Sequence, residues 1–533
     1  MAKAAKTKSK TIDKLIVTNV DALKEKYGDN GCKQVLSAVH ALIAADLKRG
    51  IHSVLVDLSN AATMKSYGVN KPVAGQDADD EKKNKAAIDA IFKSLDPEPQ
   101  YLLLLGSIDV IPHIRLDNPM EGDGDADVPS DLPYASAAKF SRHIGDFLRP
   151  TRVVGRLPNV TGDNKPNYLI GLINHAAKYE QSSSEDYFSY LGISAQVWKR
   201  STELSLDVIF GDHSNLKTSP PKGPSWTPAE LKSLAHFINC HGAPADPNFY
   251  GQKGSSYPVA HAAAHIAGKT SSGCVIAAEC CYGAELYDPA LAGNKKGICS
   301  TYLENKCHGY FGSTTIAYGP ANSNDLADLI CQEFLLEAIS GASIGRACLS
   351  ARLNYIQKKG GTLTQTDLKT LAQFNLLGDP SLTPVSSAPA HVLTASAKAG
   401  DGVEVARRNR LGRRLALAAL AVAMPIFQPG TASTGALPKV GIFKKLRDVA
   451  AAAGIDTSRS TFITSPVSST AGPLLAAKAF AAVAGSATLG PQAVHAVIES
   501  LPSPSDAKNL RLVRGVDAVE YDGRMEVRQF ESR

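Results

Sequence analysis

The stretch "GCVIAAECCYGA", Gly273–Ala284, decides the fold: a glycine and a short run of small or apolar residues break abruptly into Glu279, Cys280, Cys281, Tyr282 and Gly283. Such a run bounded by glycines reads as a strand buried on both faces. Its polar residues then fall where the strand leaves the sheet. A second stretch has the same design: "SLAHFINCHGAP", Ser233–Pro244, runs out of its apolar segment into Cys240, His241 and Gly242. Open α/β sheets bind ligands beyond the carboxyl ends of their strands, so both stretches predict reactive side chains at one sheet edge.

The flanking sequence supports a parallel sheet. Upstream, "KLIVTNV", "HSVLVDLS", "YLLLLGSIDVIP" and "TRVVGRLP" read as strands, alternating with helices such as "GCKQVLSAVHALIAADLKRG" and "AAIDAIFKSL". Downstream, "GYFGSTTIAYG" reads as a strand, and "AHAAAHIAG", "GICSTYLENK", "NDLADLICQEFLLEAIS" and "GASIGRACLSARLNYIQ" as helices. Strand–helix alternation argues for a layered α/β/α protein. The expected organisation is a basic tail (1–11), two consecutive α/β subdomains (12–200 and 201–386) and a carboxyl-terminal extension (387–533). Beyond Pro384 the composition shifts to Ala, Ser, Gly and Arg, and patches such as "RRLALAALAVAM", "FKKLRDVAAAAG" and "PLLAAKAFAAVAG" predict a helical or partly disordered appendage.

Composition narrows the class. A chain of 533 residues is too long for one ordinary core. Its 44% hydrophobic and 20% charged residues exclude a protein disordered throughout. The net charge of +6 is scattered outside the tail and "RRNRLGRR", Arg407–Arg414, so nucleic acid is not an expected partner. The longest apolar run, Leu415–Phe427, is too short and too Pro-broken to span a bilayer, and no membrane partner is expected. The start of the chain does not read as a secretory signal, which makes the cytoplasm the expected compartment. Nine cysteines, an odd number, read as thiols of a reducing compartment rather than as a disulfide frame.

An imidazole and a thiol at neighbouring strand ends can form a dyad: His241 takes the thiol proton and later protonates a leaving amine. The backbone N–H groups of Gly242 and of the cysteine can hold the oxyanion of a tetrahedral intermediate. This arrangement suits attack on an amide or ester carbonyl. A strand ending in His-Gly, followed about forty residues later by one ending in an acidic residue, a small residue and Cys, resembles the caspase/gingipain clan of cysteine peptidases. "LIVTN" (15–19), "YLLLLGSIDVIP" (101–112), "SDLPY" (130–134), "VVGRLP" (153–158) and "LLGDPSL" (376–382) narrow the resemblance to gingipains over residues 12–386.

The resemblance implies a caspase-like three-layer sandwich and a thiol endopeptidase acting on protein or peptide substrates, strongly selective for the residue before the scissile bond. It implies no required cofactor. Glu279, Cys280 and Cys281 then match the acidic residue, the small residue and the nucleophile. Counting back two residues from Gly283 instead makes Cys280 the nucleophile, so Cys281 is preferred and Cys280 is the alternative. "FGSTTIAYGP" and the loop to Asp325 resemble one wall of the family's specificity pocket. Asp131 and Tyr134 match a motif that orders the subdomain interface.

Other readings compete. Free cysteine packs in cores more often than it reacts, and Cys274, Cys331 and Cys348 are expected to be of that kind. Asp123, Asp125 and Asp127 alternate as calcium ligands do, and gingipains hold calcium, but the glycine of the usual calcium loop is missing. His261 and His265, with Cys299, Cys307 and His308, could serve a zinc-dependent hydrolase, although their spacing matches no standard site. A catalytically silent interaction module is the remaining alternative. The extension could carry a regulatory partner or inhibit the enzyme, and "RRNRLGRR" could be a processing point.

Overall fold

The computed structural model describes residues 11–359, 363–386, 428–429, 441–468, 493–521 and 524–533. The patches "RRLALAALAVAM" and "PLLAAKAFAAVAG" and the run "RRNRLGRR" lie outside these described residues.

The seven strands predicted from apolar runs form where expected, and four more join them. In chain order they are β1 (Lys14–Thr18), β2 (Ser53–Asp57), β3 (Tyr101–Leu105), β4 (Val153–Leu157), β5 (Tyr190–Ala195) and β6 (Leu216–Ser219). Next come β7 (Ala235–Asn239), β8 (Val275–Ala278), β9 (Gly309–Ser313), the short β10 (Tyr318–Gly319) and β11 (Phe374–Leu377). Ten of them make one sheet in the order β2-β1-β3-β4-β11-β9-β8-β7-β5-β6. β1, β3, β4, β5, β7, β8, β9 and β11 are buried at every position, as strands must be when helices cover both faces.

Every neighbouring pair in this sheet is parallel except β9 with β11. That antiparallel seam divides the sheet into two parallel halves of opposite direction. The amino-terminal half takes β11 from the far end of the second half, so the two halves share one continuous sheet and one core.

The place of β11 in the amino-terminal half is fastened by a buried charge network that explains the "LLGDPSL" motif. Lys14 on β1 donates to Asp46 at 2.9 Å and to Asp379, just beyond β11. All three side chains are inaccessible to solvent. Asp379 also accepts from the Ser381 N–H at 3.0 Å and from its hydroxyl at 2.7 Å. A second tie holds β11 at its neighbour β4: Arg156 of β4 grips Asp131 at 2.6 and 2.9 Å, and the Asp131 N–H donates to Asn375 of β11 at 2.9 Å. Tyr134 closes the same corner, its hydroxyl donating to the Pro112 carbonyl at 2.8 Å.

Two elements differ from the sequence reading. "AHAAAHIAG" is a strand, Val259–Ala262, and only one helical turn, Ala263–Ile266, because Val259–Ala262 pairs antiparallel with Asn248–Tyr250. In the extension, the helix expected at "FKKLRDVAAAAG" is present as Gly441–Ala452. The described residues beyond it are not helical. They form β12 (Thr461–Ser468), β13 (Ala493–Leu501), β14 (Leu512–Tyr521) and β15 (Arg524–Ser532), an antiparallel meander in the order β12-β13-β14-β15 that ends on β10. Val and Ile recur through "AVHAVIESL" and "LVRGVDAVEY", a β-branched content that the Ala- and Ser-rich composition of the extension masks. Among the described residues no helix is long and apolar enough to cross a membrane.

Removing one partner of a buried ion network strands the other charge. Asp379→Ala is therefore expected to lower the unfolding free energy by about 3–5 kcal/mol, read from the urea midpoint. An unchanged midpoint would show that Lys14 does not depend on this carboxylate.

Candidate active site

In the half of the sheet that carries β5 to β9, the chain runs outward from β5 to β6, then crosses back to β7 on the other side of β5. The crevice beyond the carboxyl ends of β5 and β7 is thus the topological switch point, where doubly wound sheets bind ligands. His241 follows β7, Trp198 follows β5, and Glu279, Cys280 and Cys281 follow β8.

His241 is fixed by its backbone and its ring. Its N–H and C=O exchange bonds with Tyr250 at 2.9 and 2.8 Å. The imidazole packs against Trp198, with centroids 4.3 Å apart, and against Tyr257 at 5.2 Å. Nε2 lies 2.7 Å from Oε1 of Gln252, whose amide nitrogen donates to the Gly254 carbonyl at 3.1 Å and to Tyr257 Oη at 3.0 Å. Gln252 Oε1 can only accept, so Nε2 carries the proton and Nδ1 carries the lone pair. Nδ1 is buried and has no hydrogen-bond partner. Burial pushes the imidazole pKa down to about 3, which keeps the ring neutral.

The two cysteines point to different surroundings. Cys281 Sγ accepts from the Ala317 N–H at 3.2 Å and donates to the Ala317 carbonyl at 3.5 Å. Cys280 Sγ faces the β7 carbonyl of Ile238 at 3.8 Å. Burial drives the Cys281 thiol pKa up to about 12 and that of Cys280 well above the ordinary thiol value. The residue after Cys281, Tyr282, has φ 55°, a conformation that non-glycine residues hold only when the surroundings impose it. Gly242 is required by close approach, since a Cβ there would stand 1.8 Å from the Cys281 carbonyl oxygen.

The N–H groups of Gly242 and Cys281 converge on one oxygen, the carbonyl of Arg533, at 3.3 and 3.2 Å. The Arg533 side chain enters a fully buried pocket between β5 and β10. Nη2 donates to Asp328 at 2.6 Å and to the Pro320 carbonyl at 2.8 Å, and the guanidinium lies 4.4 Å from the Trp198 ring centroid. Gly319 makes room for it: a Cβ there would meet Nη2 at 2.2 Å. Asp328 stands in the first turn of the helix Ala327–Ile339, entered through Leu326 at φ 51°.

Glu279 forms the floor of the pocket, 3.8 Å from Arg533 Nε and inaccessible to solvent. Burial, reinforced by the neighbouring Asp328 carboxylate, holds its pKa well above the usual range. Burial also raises the pKa of Asp328 against the lowering pull of Arg533, so the guanidinium faces one carboxylate at 2.6 Å and a second acid at 3.8 Å.

The sequence profile of Peptidase family C25 matches residues 7–385. The chain belongs to this family. It is a cysteine peptidase, a hydrolase that cleaves within peptide chains. No curated protein sequence matches it. Among solved structures, it is similar to a complex of the pro- and mature domains of Porphyromonas gingivalis RgpB, at 10% identity and TM-score 0.47, covering 97% of this chain and 99% of that one. It is also similar to the Arg-specific cysteine proteinase gingipain R, at 9% identity and TM-score 0.45, covering 98% of each chain. A further protease structure matches at 12% identity and TM-score 0.44, again covering 98% of each.

In this C25 peptidase the remaining sequence candidates have other partners. Asp123 and Asp125 do converge, but on the buried ammonium of Lys369, which lies 2.7 Å from Asp125 and also pairs with Asp123. Tyr318 donates to Asp123, and Tyr282 donates to Asp125 at 2.6 Å. The positive charge that calcium would bring is supplied by lysine. Asp127 lies apart from them, on the strand Asp127–Ser130. His261 binds Trp226 at 2.9 Å and Tyr302 at 2.9 Å, His265 binds Ser225 at 3.1 Å, and His308 binds His175 at 3.2 Å. Among the described residues no group of three His, Cys, Asp or Glu could hold a metal ion. Cys274, Cys331 and Cys348 are buried free thiols, as core cysteines are.

The sequence reading missed Trp198, Gln252, Asp328 and Arg533. Gln252 carried no signal beyond lying eleven residues after His241. Gly242→Ala would push apart the two loops that carry His241 and Cys281, and a displacement of about 1 Å costs roughly a hundredfold in rate. Peptidase activity of Gly242→Ala is expected to fall by that factor or more with the circular dichroism spectrum unchanged. Activity within twofold of wild type would contradict the close approach.

Proposed function

We propose that this peptidase cleaves after arginine, with Cys281 as the nucleophile, His241 as general base and acid, and the N–H groups of Gly242 and Cys281 as the oxyanion hole. The observation that carries the reading is the Arg533 carbonyl oxygen held by those two N–H groups while its guanidinium fills the pocket of Asp328.

In the reaction the Cys281 proton passes to His241 Nδ1, and the sulfur adds to the carbonyl carbon. The oxygen takes the negative charge against the two fixed N–H donors, which need no reorganisation as it develops. The tetrahedral intermediate collapses, the C–N bond breaks, and the leaving amine takes the proton from Nδ1. Water then gives a proton to Nδ1 and adds to the thioester. The C–S bond breaks, releasing the acid and restoring the thiol. Gln252 is a positioning residue: by holding Nε2–H it keeps Nδ1 as the base. Asp328, Trp198 and the Pro320 carbonyl read the side chain before the scissile bond through charge, a cation–π face and one fixed acceptor.

Cys280 has no part in this scheme. Cys281→Ala and His241→Ala are expected to reduce cleavage of a peptidyl-arginyl coumarin substrate by at least about a thousandfold, whereas Cys280→Ala stays within a few-fold of wild type. Loss in Cys280→Ala with activity kept in Cys281→Ala would reverse the assignment. A folded chain that cleaves no peptide even with Arg533→Ala in place would favour the silent interaction module.

A further inference from the structure

The residue in the pocket belongs to the chain itself. β15 pairs antiparallel with β10, placing Ser532 opposite Tyr318 and Glu531 opposite Gly319. The Arg533 N–H continues the ladder, donating to the Ala317 carbonyl at 2.9 Å. Glu531 accepts from the Trp198 indole N–H. Extended peptides bind sheet edges in this way, with backbone bonds giving affinity and alternate side chains giving specificity.

We infer that Glu531-Ser532-Arg533 is a substrate mimic in cis, which occupies the three successive subsites before the scissile position and keeps the peptidase latent until β15 is displaced. The inference rests on reading the Cys281–His241 crevice as the peptidase site.

Three observations separate this from ordinary packing of a strand. The contacts are those a substrate needs, since both oxyanion donors and the charged pocket are used by one residue. The thiol is closed off while the occupant is in place, with Cys281 only 1% exposed. The strand is also anchored: Arg528 of β15 binds Asp325 at 2.8 Å, Asp367 at 3.0 Å, Asp517 at 2.5 Å and the hydroxyls of Thr364 and Thr366, each at 2.8 Å. A strand tethered in this way competes with free peptide at a high effective concentration. The same contacts define a preferred sequence, with an acidic residue two positions before the arginine, where Glu531 meets Trp198.

The test uses the full chain with Arg533→Ala, and with Glu531→Ala as a milder second variant, each checked for an unchanged circular dichroism spectrum. Arg533→Ala is expected to raise both the iodoacetamide alkylation rate of Cys281 and kcat/KM for an arginyl substrate by at least about tenfold, and Glu531→Ala to shift both in the same direction by less. The peptide Gln-Phe-Glu-Ser-Arg added in trans should inhibit Arg533→Ala competitively, and more strongly than Gln-Phe-Ala-Ser-Arg. In the wild type, a peptidyl-arginine aldehyde should speed hydrogen exchange across Arg524–Ser532.

Alkylation, kcat/KM and exchange that all match the wild type would overturn the mimic while leaving the peptidase assignment intact. Faster alkylation of Cys281 in Arg533→Ala with no peptide cleaved by either chain would uphold the plug and overturn the peptidase assignment.

Discussion

A guanidinium removed from water has to be answered by fixed partners, and the geometry of this site follows from the way that requirement is met. Arg533 is inaccessible to solvent and lies against the Trp198 indole and against a carboxylate and a backbone carbonyl of the segment from Pro320 to Asp328. Placing a charge there unpaired would cost several kcal/mol. A residue lacking the charge would leave Asp328 buried and unmatched.

The fold supplies those partners because of where its strands reverse order. The switch point between β5 and β7 opens a crevice that no crossover covers, and β8 brings Glu279 and Cys281 to its side. Backbone strain collects at the same place, in Ala245 at φ 48°, Tyr282 at φ 55° and Leu326 at φ 51°. Such conformations cost about 1–3 kcal/mol each and persist only where surrounding structure holds them. Here they re-aim the chain just after His241, just after Cys281 and just before Asp328. The Lys14–Asp46–Asp379 network fixes the end of β11, and β11 pairs with β9 across the antiparallel seam, which links the half that carries the site to the half that does not.

Much of this was legible in the sequence, for identifiable reasons. Apolar runs bounded by glycine located the strands, and the abrupt change to polar residues after β7 and β8 located His241 and Cys281. Glu279 was legible as a neighbour of the cysteine but not as the floor of a pocket. Asp328 was not, since on a helix it reads as one acidic residue of a first turn, and only the fold turns it toward the crevice. Trp198 carries no local signal, since nothing in the sequence joins it to residues some forty and eighty positions later. The extension was read by composition, and its alanines and serines hid the β-branched pattern of β13 and β14. Lys369, the partner of the acidic loop, was not legible, because it lies 244 residues beyond Asp125 and nothing local announces it.

The central claim is that one crevice joins the Cys281 thiol, the two N–H donors and an arginine pocket. It is tested most directly by treating the full-length Arg533→Ala chain with a peptidyl-arginyl acyloxymethyl ketone and mapping the adduct by peptide mass spectrometry. The account predicts a single thioether on Cys281, and none when arginine in the probe is replaced by glutamine. An adduct on Cys280, or equal labelling by both probes, would contradict it.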